Sequence, residues 1–216
     1  MAEIIDVEIE CPSVECPLEA VASQKQLEGS SSGRLGQPVV SSRNVPVVIL
    51  GIDASLKATG LVTVPLDFRG RGDWGRVTSR TLGWSLPSGS TDHRKIDRLR
   101  AIVDGTLDFA RSHGCSEAWI ESYAFGKNTA AHALGEVVGC LKLALRTQGI
   151  NVRTAPLSSA RKALIGYVPK SGAKQAVHDF LVAQGAEFPT GDAYDAMCAA
   201  HYGLHVLGGF SFQRGA

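Results

Sequence analysis

The feature that most constrains the fold of this chain is an uninterrupted apolar run that ends at an acidic residue. Residues 47–52 have the sequence VVILGI, and Asp53 follows them directly. An apolar run without polar alternation is typical of a strand that is covered on both faces, as in the centre of an α/β sheet. Because an unpaired carboxylate is costly beside such a strand, we expect Asp53 to lie where other groups or ions balance its charge.

Hydrophobic periodicity along the rest of the chain predicts an alternation of strands and helices. Further strands are predicted at residues 61–64, 76–85, 118–120 and 150–154, with a hairpin loop at 69–76. Helices are predicted at about 92–112, 129–147, 157–165, 172–184 and 191–207. This order predicts an α/β fold, a mixed five-stranded sheet with helices on both faces.

The first 45 residues differ from the rest in composition and are predicted to be a disordered acidic tail. Residues 1–45 contain seven acidic and three basic residues, a net charge of −4, and no aromatic residue. Such a segment has too little apolar surface to offset the entropy that ordering would cost. The folded domain is therefore predicted to span residues 46–216, without a second domain.

Several classes of protein do not fit the sequence. It contains no run of about 18 apolar residues that could cross a membrane, and it begins like neither a secretory signal nor a transit peptide. The five cysteines include no C-x-x-C pair, which argues against a disulfide scaffold or a zinc knuckle. We therefore expect a cytoplasmic protein with reduced thiols, and we expect Cys115, Cys140 and Cys198 to be buried.

The 216-residue chain has a formal net charge of only +1, but its charges are unevenly placed. No acidic residue lies between Glu136 and Asp179. This stretch contains seven basic residues, which are Lys142, Arg146, Arg153, Arg161, Lys162, Lys170 and Lys174. A stretch of one sign is typical of a face that binds anions such as the nucleic-acid backbone. The alternative is a solvated face that acids from other segments balance.

Four acidic residues stand where the predicted fold would bring them together. Asp53 and Glu121 each follow an apolar strand, and Asp192 and Asp195 are three residues apart at the start of the last helix, on one face. Four carboxylates converge only around positive charge. Oxygen ligands without His or Cys suit Mg²⁺ or Mn²⁺, so the sequence predicts a metal site of this kind.

Four short segments carry motifs that occur together in one known family. They are GIDASLKATG at 51–60, IESYAFGKN at 120–128, LGEVVG at 134–139 and DAYDA at 192–196. In order and in approximate spacing they resemble the RuvC family of Holliday junction resolvases. The resemblance covers about residues 47–207.

This resemblance implies an RNase H-like fold, a homodimer and metal-dependent cutting of four-way DNA junctions by paired, symmetric nicks. The family's catalytic acids fall on Asp53, Glu121, Asp192 and Asp195, which would hold two Mg²⁺ ions per active site, with Mn²⁺ as a possible substitute. Two such ions activate a water molecule and stabilise the leaving 3′-oxygen, and the implied products are 5′-phosphate and 3′-hydroxyl ends. The resemblance leaves open whether a helicase partner exists.

The resemblance also assigns roles to basic residues in the acid-free stretch. Lys174 matches a family lysine near the scissile phosphate, where it would stabilise charge on the transferring phosphate. Lys170 is the alternative, because the segment between Gly166 and Lys174 is about two residues longer than in the best-known members. Arg161, Lys162, Lys170 and Lys174 are all predicted to contact DNA.

The loop after Glu121 is implied to insert an aromatic side chain into the junction. The usual family position is Ala124 here, so the wedge is expected to be Tyr123 or Phe125, stacked on an exposed base. Lys127 in the same loop is predicted to contact DNA. The alternative for either aromatic residue is packing beneath the loop.

Three other functions are compatible with parts of the sequence. An actin- or sugar-kinase-like ATPase also has a Gly-Ile-Asp strand followed by a turn and Thr-Gly, but it needs two related domains to close on ATP. An RNase H-like nuclease could instead act on other branched DNA or on RNA–DNA hybrids. A non-catalytic junction binder is disfavoured because it would not require four acids.

Overall fold

The computed structural model of the protein describes residues 46–122, 130–208 and 210–212, and the predicted tail lies outside these residues. The strands are β1 (Val48–Asp53), β2 (Ala58–Pro65), β3 (Thr78–Gly83), β4 (Glu117–Glu121) and β5 (Asn151–Ala155). The helices are α1 (Asp92–Ser112), α2 (Ala130–Thr147), α3 (Leu157–Ile165), α4 (Ala173–Ala183) and α5 (Gly191–Gly208). The predicted order of strands and helices is confirmed.

The five strands form one mixed sheet in the order β3-β2-β1-β4-β5. β1 is antiparallel to β2, and β2 is antiparallel to β3. β4 is parallel to both β1 and β5. β1 is therefore the central strand, which explains why its sequence is apolar throughout.

Helices cover both faces of the sheet, as the sequence predicts. Leu50 and Ile52 of β1 belong to one core, which they share with residues of α1 and α2 such as Leu141. Ile49 of the same strand belongs to the other core, with residues of α3, α4 and α5 such as Leu204. Alternate residues of β1 thus enter opposite cores, so a shift of one residue in its register would exchange them.

The predicted loop at 69–76 contains a short 3-10 helix, Arg71–Arg76, which the sequence did not indicate. The Asp73 carboxylate accepts a hydrogen bond of 2.6 Å from the backbone N–H of Arg69 at its start. Trp74 then packs edge-to-face on Phe68, with ring centroids 5.1 Å apart. A short helix that depends on one side-chain hydrogen bond and on the packing of one tryptophan leaves no periodic pattern to detect.

Helix α5 approaches the centre of the sheet unusually closely because glycines stand beneath it. A Cβ atom on Gly51 of β1 would overlap the carbonyl oxygen of Ala196, and one on Gly60 of β2 would overlap that of Asp192. On the helix side, a Cβ on Gly203 would meet the Trp119 ring at 2.5 Å. The backbone of α5 therefore rests directly on β1, β2 and β4.

The predicted burial of three cysteines is confirmed for two of them. Cys115 and Cys198 are buried, but Cys140 is exposed, so the prediction for Cys140 is wrong. It lies on α2 outside the apolar stripe formed by residues such as Val137 and Leu141. No helix in the described part of the chain is long and apolar enough to cross a membrane.

We expect Gly51→Ala and Gly60→Ala to destabilise the domain by about 2 kcal/mol or more, because the added methyl group would push α5 away from the sheet. Gly75→Ala is the matched control, since nothing lies within 4 Å of a Cβ at that position. The measurement is the free energy of unfolding in urea. Equal stability of Gly51→Ala and Gly75→Ala would show that α5 does not rest on the sheet as described.

Candidate active site

Two acidic residues end neighbouring strands at the same edge of the sheet. β1 and β4 are parallel, and Ile52 is in register with Ile120. Asp53 and Glu121 are the next residues of these strands, so they lie side by side, with backbones about 4.8 Å apart as in any paired strands. Both side chains are half-buried.

The start of α5 adds two further acids at this edge. Asp53 is paired with Gly60 across β1 and β2, and the backbone of Asp192 rests on Gly60. Thr190, just before the helix, shares a hydrogen bond of 2.6 Å with Thr81 of β3. Asp195, less than one turn later, is only 3% exposed. We call Asp53, Glu121, Asp192 and Asp195 the acidic cluster.

Lys174 at the start of α4 supplies positive charge to the acidic cluster. Its Nζ lies 2.5 Å from Oδ2 of Asp195. Partial burial lowers the pKa of Lys174, but the contact with Asp195 and the charges of Asp53 and Glu121 outweigh this effect, so that its pKa is raised. Of the two lysines considered for this position, Lys174 is thus the one that contacts the acids. Lys170 is exposed in the loop between α3 and α4.

Two carboxyl groups of the acidic cluster, those of Asp53 and Glu121, resist ionisation. Burial raises the pKa of Asp53 to about 8, with contributions from the charges of Glu121 and Asp195, a smaller one from Asp192, and partial compensation by Lys174. Burial and the charge of Asp195 also raise the pKa of Glu121 to about 7, although Arg161 and Lys174 act in the opposite direction. The cluster therefore has more negative charge than its protein surroundings neutralise.

Arg161, which the sequence predicts to contact DNA, also interacts electrostatically with Glu121. Helix α3 begins beside the end of β4, where the backbone N–H of Leu157 donates a 3.3 Å hydrogen bond to Ser122 Oγ. Arg161, half-buried one turn later, lowers the pKa of Glu121. Its neighbour Lys162 is exposed and lines a surface cavity of about 690 Å³. The structure therefore associates Arg161, but not Lys162, with Glu121.

The predicted aromatic wedge and one basic residue lie outside the described residues. Tyr123, Phe125 and Lys127 all belong to the segment 123–129, between β4 and α2. The backbone on one side of this segment is held by a 2.9 Å hydrogen bond from Ser122 N–H to the carbonyl of Ala155. Ser122, the last described residue before this segment, lies at the same sheet edge as the acidic cluster.

The chemistry of the acidic cluster suits a hard divalent cation. Its donors are carboxylate oxygens, and the raised pKa values of Asp53 and Glu121 indicate that added positive charge would stabilise their ionised forms. Within residues 46–122, 130–208 and 210–212, no three His, Cys, Asp or Glu side chains are arranged to hold an ion as they stand. The positive charge nearest to Asp195 is the Lys174 ammonium group.

Cys198 is a buried core thiol, as predicted, and it also lies close to the acidic cluster. Burial raises its pKa, and the charges of Glu121 and Asp195 add to this effect. The signal that could have located it is its spacing, since Cys198 follows Asp195 by three residues on α5. The neutral thiol places an apolar group next to these carboxylates.

Comparison with known proteins gives a match at the level of structure. No protein-family model matches the sequence, and no curated protein matches it either. A structure of T. thermophilus RuvC in complex with Holliday junction substrate aligns with 18% identity and a TM-score of 0.57, covering 76% of this chain and 98% of that chain. Another Thermus thermophilus RuvC structure aligns with 19% identity and a TM-score of 0.54 over the same fractions.

The chain has the RuvC fold. The alignment spans nearly the whole of the T. thermophilus RuvC chains, so this protein contains a complete fold of that type. The RNase H-like architecture that the resemblance implied is therefore confirmed. In this RuvC fold, the acidic cluster occupies the carboxyl ends of β1 and β4 and the first turn of α5.

We expect the stability of the metal-free protein to fall as the pH rises from about 5 to about 8. A carboxyl group whose pKa is raised in the folded chain does not affect stability below its unfolded pKa, which is 3.8 for Asp53. It destabilises the folded state progressively as the pH rises toward the folded pKa of about 8, and by a constant amount above that pH. Asp53→Asn should remove part of this slope and raise stability at pH 8 by at least about 1 kcal/mol, the equivalent of one pKa unit.

The measurement is urea unfolding in a chelating buffer at several pH values. Asp97→Asn, at an exposed position on α1, is the control and should leave the slope unchanged. An Asp53→Asn variant with the wild-type pH dependence would show that the proton is not held at this carboxyl group.

Proposed function

We propose that this protein is a metal-dependent endodeoxyribonuclease that resolves four-way DNA junctions by paired, symmetric nicks. The observation that supports this most strongly is the convergence of Asp53, Glu121 and Asp195 beside Lys174 in a chain with the RuvC fold. A protein of this fold has been observed with a Holliday junction substrate. Carboxylates that can bind metal ions, next to a lysine that can contact a phosphate, suit the hydrolysis of a phosphodiester.

The acidic cluster would hold Mg²⁺, with two ions per site and Mn²⁺ as a substitute. When bound, these ions would activate water and neutralise the charge that develops on the phosphate and on the leaving 3′-oxygen. The products would be 5′-phosphate and 3′-hydroxyl ends. Asp53, at the end of the central strand and close to the other three acids, is the best placed to contact both ions.

The basic residues near the site have separate tasks in this proposal. Arg161 favours the ionised form of Glu121, because its charge opposes the rise in the pKa of that carboxyl group. Lys174 has an exposed side chain whose ammonium group already lies among the carboxylates. It can donate hydrogen bonds to the phosphate oxygens as negative charge accumulates on them. Lys162 and Lys170, both exposed, would contact the DNA backbone.

Two symmetric cuts require two active sites, so we propose that the protein acts as a homodimer. Helix α2 offers a surface for it. Leu143 is 72% exposed, and its neighbours Gly139 and Cys140 are exposed as well. A large apolar side chain beside small residues suits close packing against a second copy. The loop with Tyr123, Phe125 and Lys127 directly precedes this helix and would lie near the centre of the junction.

The carboxylates should be needed for cutting but not for binding. Asp53→Asn, Glu121→Gln, Asp192→Asn and Asp195→Asn keep side-chain shape but remove charge that would bind metal. We expect each to lower the single-turnover cutting rate of a synthetic four-way junction in Mg²⁺ by at least about 100-fold, a loss of roughly 2.7 kcal/mol of transition-state stabilisation. Junction affinity measured in Ca²⁺ should be unchanged or higher, because fewer negative charges face the phosphates.

The same assay separates the basic residues and the alternative functions. Lys162→Ala should weaken binding and reduce its salt dependence by about one unit, whereas Lys174→Ala should lower the rate more than the affinity. Flap, duplex and RNA–DNA hybrid substrates are tested in parallel. Preferential cutting of a flap or a hybrid would favour another RNase H-like nuclease, and ATP hydrolysis would favour the ATPase alternative. Cutting by Asp53→Asn at the wild-type rate would refute the metal-dependent mechanism.

We expect Leu143→Glu to convert a homodimer to monomers, because two buried carboxylates would oppose each other across the two-fold axis. Light scattering of the wild type and the variant, free and on junction DNA, measures this directly. Val182→Glu, at an exposed apolar position of α4, is the matched control and should not dissociate the dimer. A wild-type protein that is monomeric both free and on DNA would contradict the proposal.

A further inference from the structure

One tryptophan has an exposure that packing alone does not explain. Of the three tryptophans in the chain, Trp119 is 3% exposed, and Trp74 is partly buried in an aromatic group with Phe68. Trp84 is 40% exposed although it directly follows β3. A tryptophan on the surface leaves exposed much of the large apolar area that this residue usually buries.

The strand register places Trp84 at the same sheet edge as the acidic cluster, with its side chain beside α1, on the face of the sheet opposite to α5. Asp53 is paired with Gly60, and Gly60 is paired with Thr81 of β3. β3 runs in the same direction as β1. The three residues that follow Thr81, which end at Trp84, therefore extend past Asp53 toward the active-site edge. Two strand spacings and three residue steps put the Trp84 backbone about 14 Å from that of Asp53.

The backbone around Trp84 is held in place independently of its side chain. The N–H of Trp84 donates a 3.0 Å hydrogen bond to the carbonyl of Lys57, in the turn that follows Asp53. That turn is in turn stabilised by Ser55 and Thr59, whose hydroxyl group donates a 2.6 Å hydrogen bond to the Ser55 carbonyl. The position of Trp84 relative to Asp53 is therefore fixed by hydrogen bonds that a substitution at Trp84 leaves intact.

One basic side chain lies beside the exposed indole, and a second basic residue belongs to the turn that holds its backbone. Arg80 and Trp84 lie on the same face of β3 and line one surface cavity of about 250 Å³, together with Ala101 and Ile102 of α1. Arg80 is exposed, as is Lys57 next to the Trp84 backbone. Positive charges beside an exposed aromatic ring form the usual surface for unpaired nucleic acid, since the charges follow the phosphates and the ring stacks on a base.

We propose that Trp84, flanked by Lys57 and Arg80, stacks on an unpaired base of the strand that is cut. This inference rests on the proposed function, because it assigns a contact to the DNA that enters that active site. The 14 Å separation corresponds to roughly four nucleotides of helical strand at its 3.4 Å rise, and to fewer where the strand is unstacked. Trp84 thereby selects substrates whose bases are unpaired within a few nucleotides of the cleavage point.

The first test compares Trp84→Ala, Trp84→Leu and Trp84→Phe in binding assays with a four-way junction and a continuous duplex, both in Ca²⁺. Loss of stacking should weaken junction binding by roughly five- to a hundredfold in the Ala and Leu variants. Duplex affinity should stay unchanged, and Trp84→Phe should retain most of the junction affinity. Trp84→Leu preserves apolar contact with α1, so a loss shared by both variants and confined to the junction is not a folding defect.

Fluorescence provides a readout that a purely structural role would not alter. Stacking on a base should quench the emission of wild-type protein when the junction binds, and this change should be absent in Trp84→Phe, whose remaining tryptophans are Trp74 and Trp119. A junction with an abasic nucleotide, moved one position at a time away from the mapped cut, should show reduced wild-type affinity at one position only. Trp84→Ala should be insensitive to that abasic substitution.

The outcomes separate the two proposals. Wild-type protein that neither prefers nor cuts the junction overturns the proposed function and this inference with it. Wild-type protein that cuts the junction, together with Trp84→Ala or Trp84→Leu of wild-type affinity, overturns the assignment of Trp84 alone. Equal losses on junction and duplex also overturn it, because they indicate a general effect on the surface. Val182→Ala, an exposed apolar position on α4, is the control and should behave as wild type.

Discussion

The close approach of helix α5 to the sheet is the constraint on which the rest of the site depends. Gly51 and Gly60 let the helix backbone rest directly on β1 and β2. Because α5 begins there, its first turn brings Asp192 and Asp195 to the edge where Asp53 ends β1. With larger residues at either glycine, the helix would stand farther from the sheet and the acids would no longer share one environment.

The accumulated negative charge explains the arrangement of the surrounding basic residues. Lys174 and Arg161 approach the acids from α4 and α3, two helices that pack beside α5 on the same face of the sheet. Lys174 contacts Asp195 and also lowers the pKa of Asp53 and Glu121, whereas Arg161 lowers the pKa of Glu121. The compensation is incomplete, since the pKa values of Asp53 and Glu121 remain raised. Keeping these acids together lowers the stability of the fold, a cost that the proposed metal ions would offset.

Sequence patterns predicted the elements better than the contacts between them. The apolar run of β1 and the periodicity of α1 and α3 have strong local signals, and the bounds of both helices agree with the structure. The association of Arg161 with Glu121 depends on how α3 packs after β5, which no local pattern encodes. Cys140 was predicted to be buried because its neighbours on α2 are apolar. Those neighbours face the core, but Cys140 lies on the exposed side of the helix. Hydrophobic periodicity predicts secondary structure, whereas the pairing of charged residues depends on tertiary geometry.

Helix α5 is unusual in that residues 193–201 are all buried. Its surroundings include the sheet on one side and, on the other, an aromatic layer in which Phe212 stacks on the His201 ring at 5.1 Å. A segment enclosed in this way cannot detach in a partial opening, so the amides of residues 193–201 should exchange with solvent only when the whole domain unfolds. The acids on its first turns therefore belong to the most cooperative part of the molecule. Heating should abolish the site and the fold in a single transition, with no intermediate that is folded but has a disassembled site.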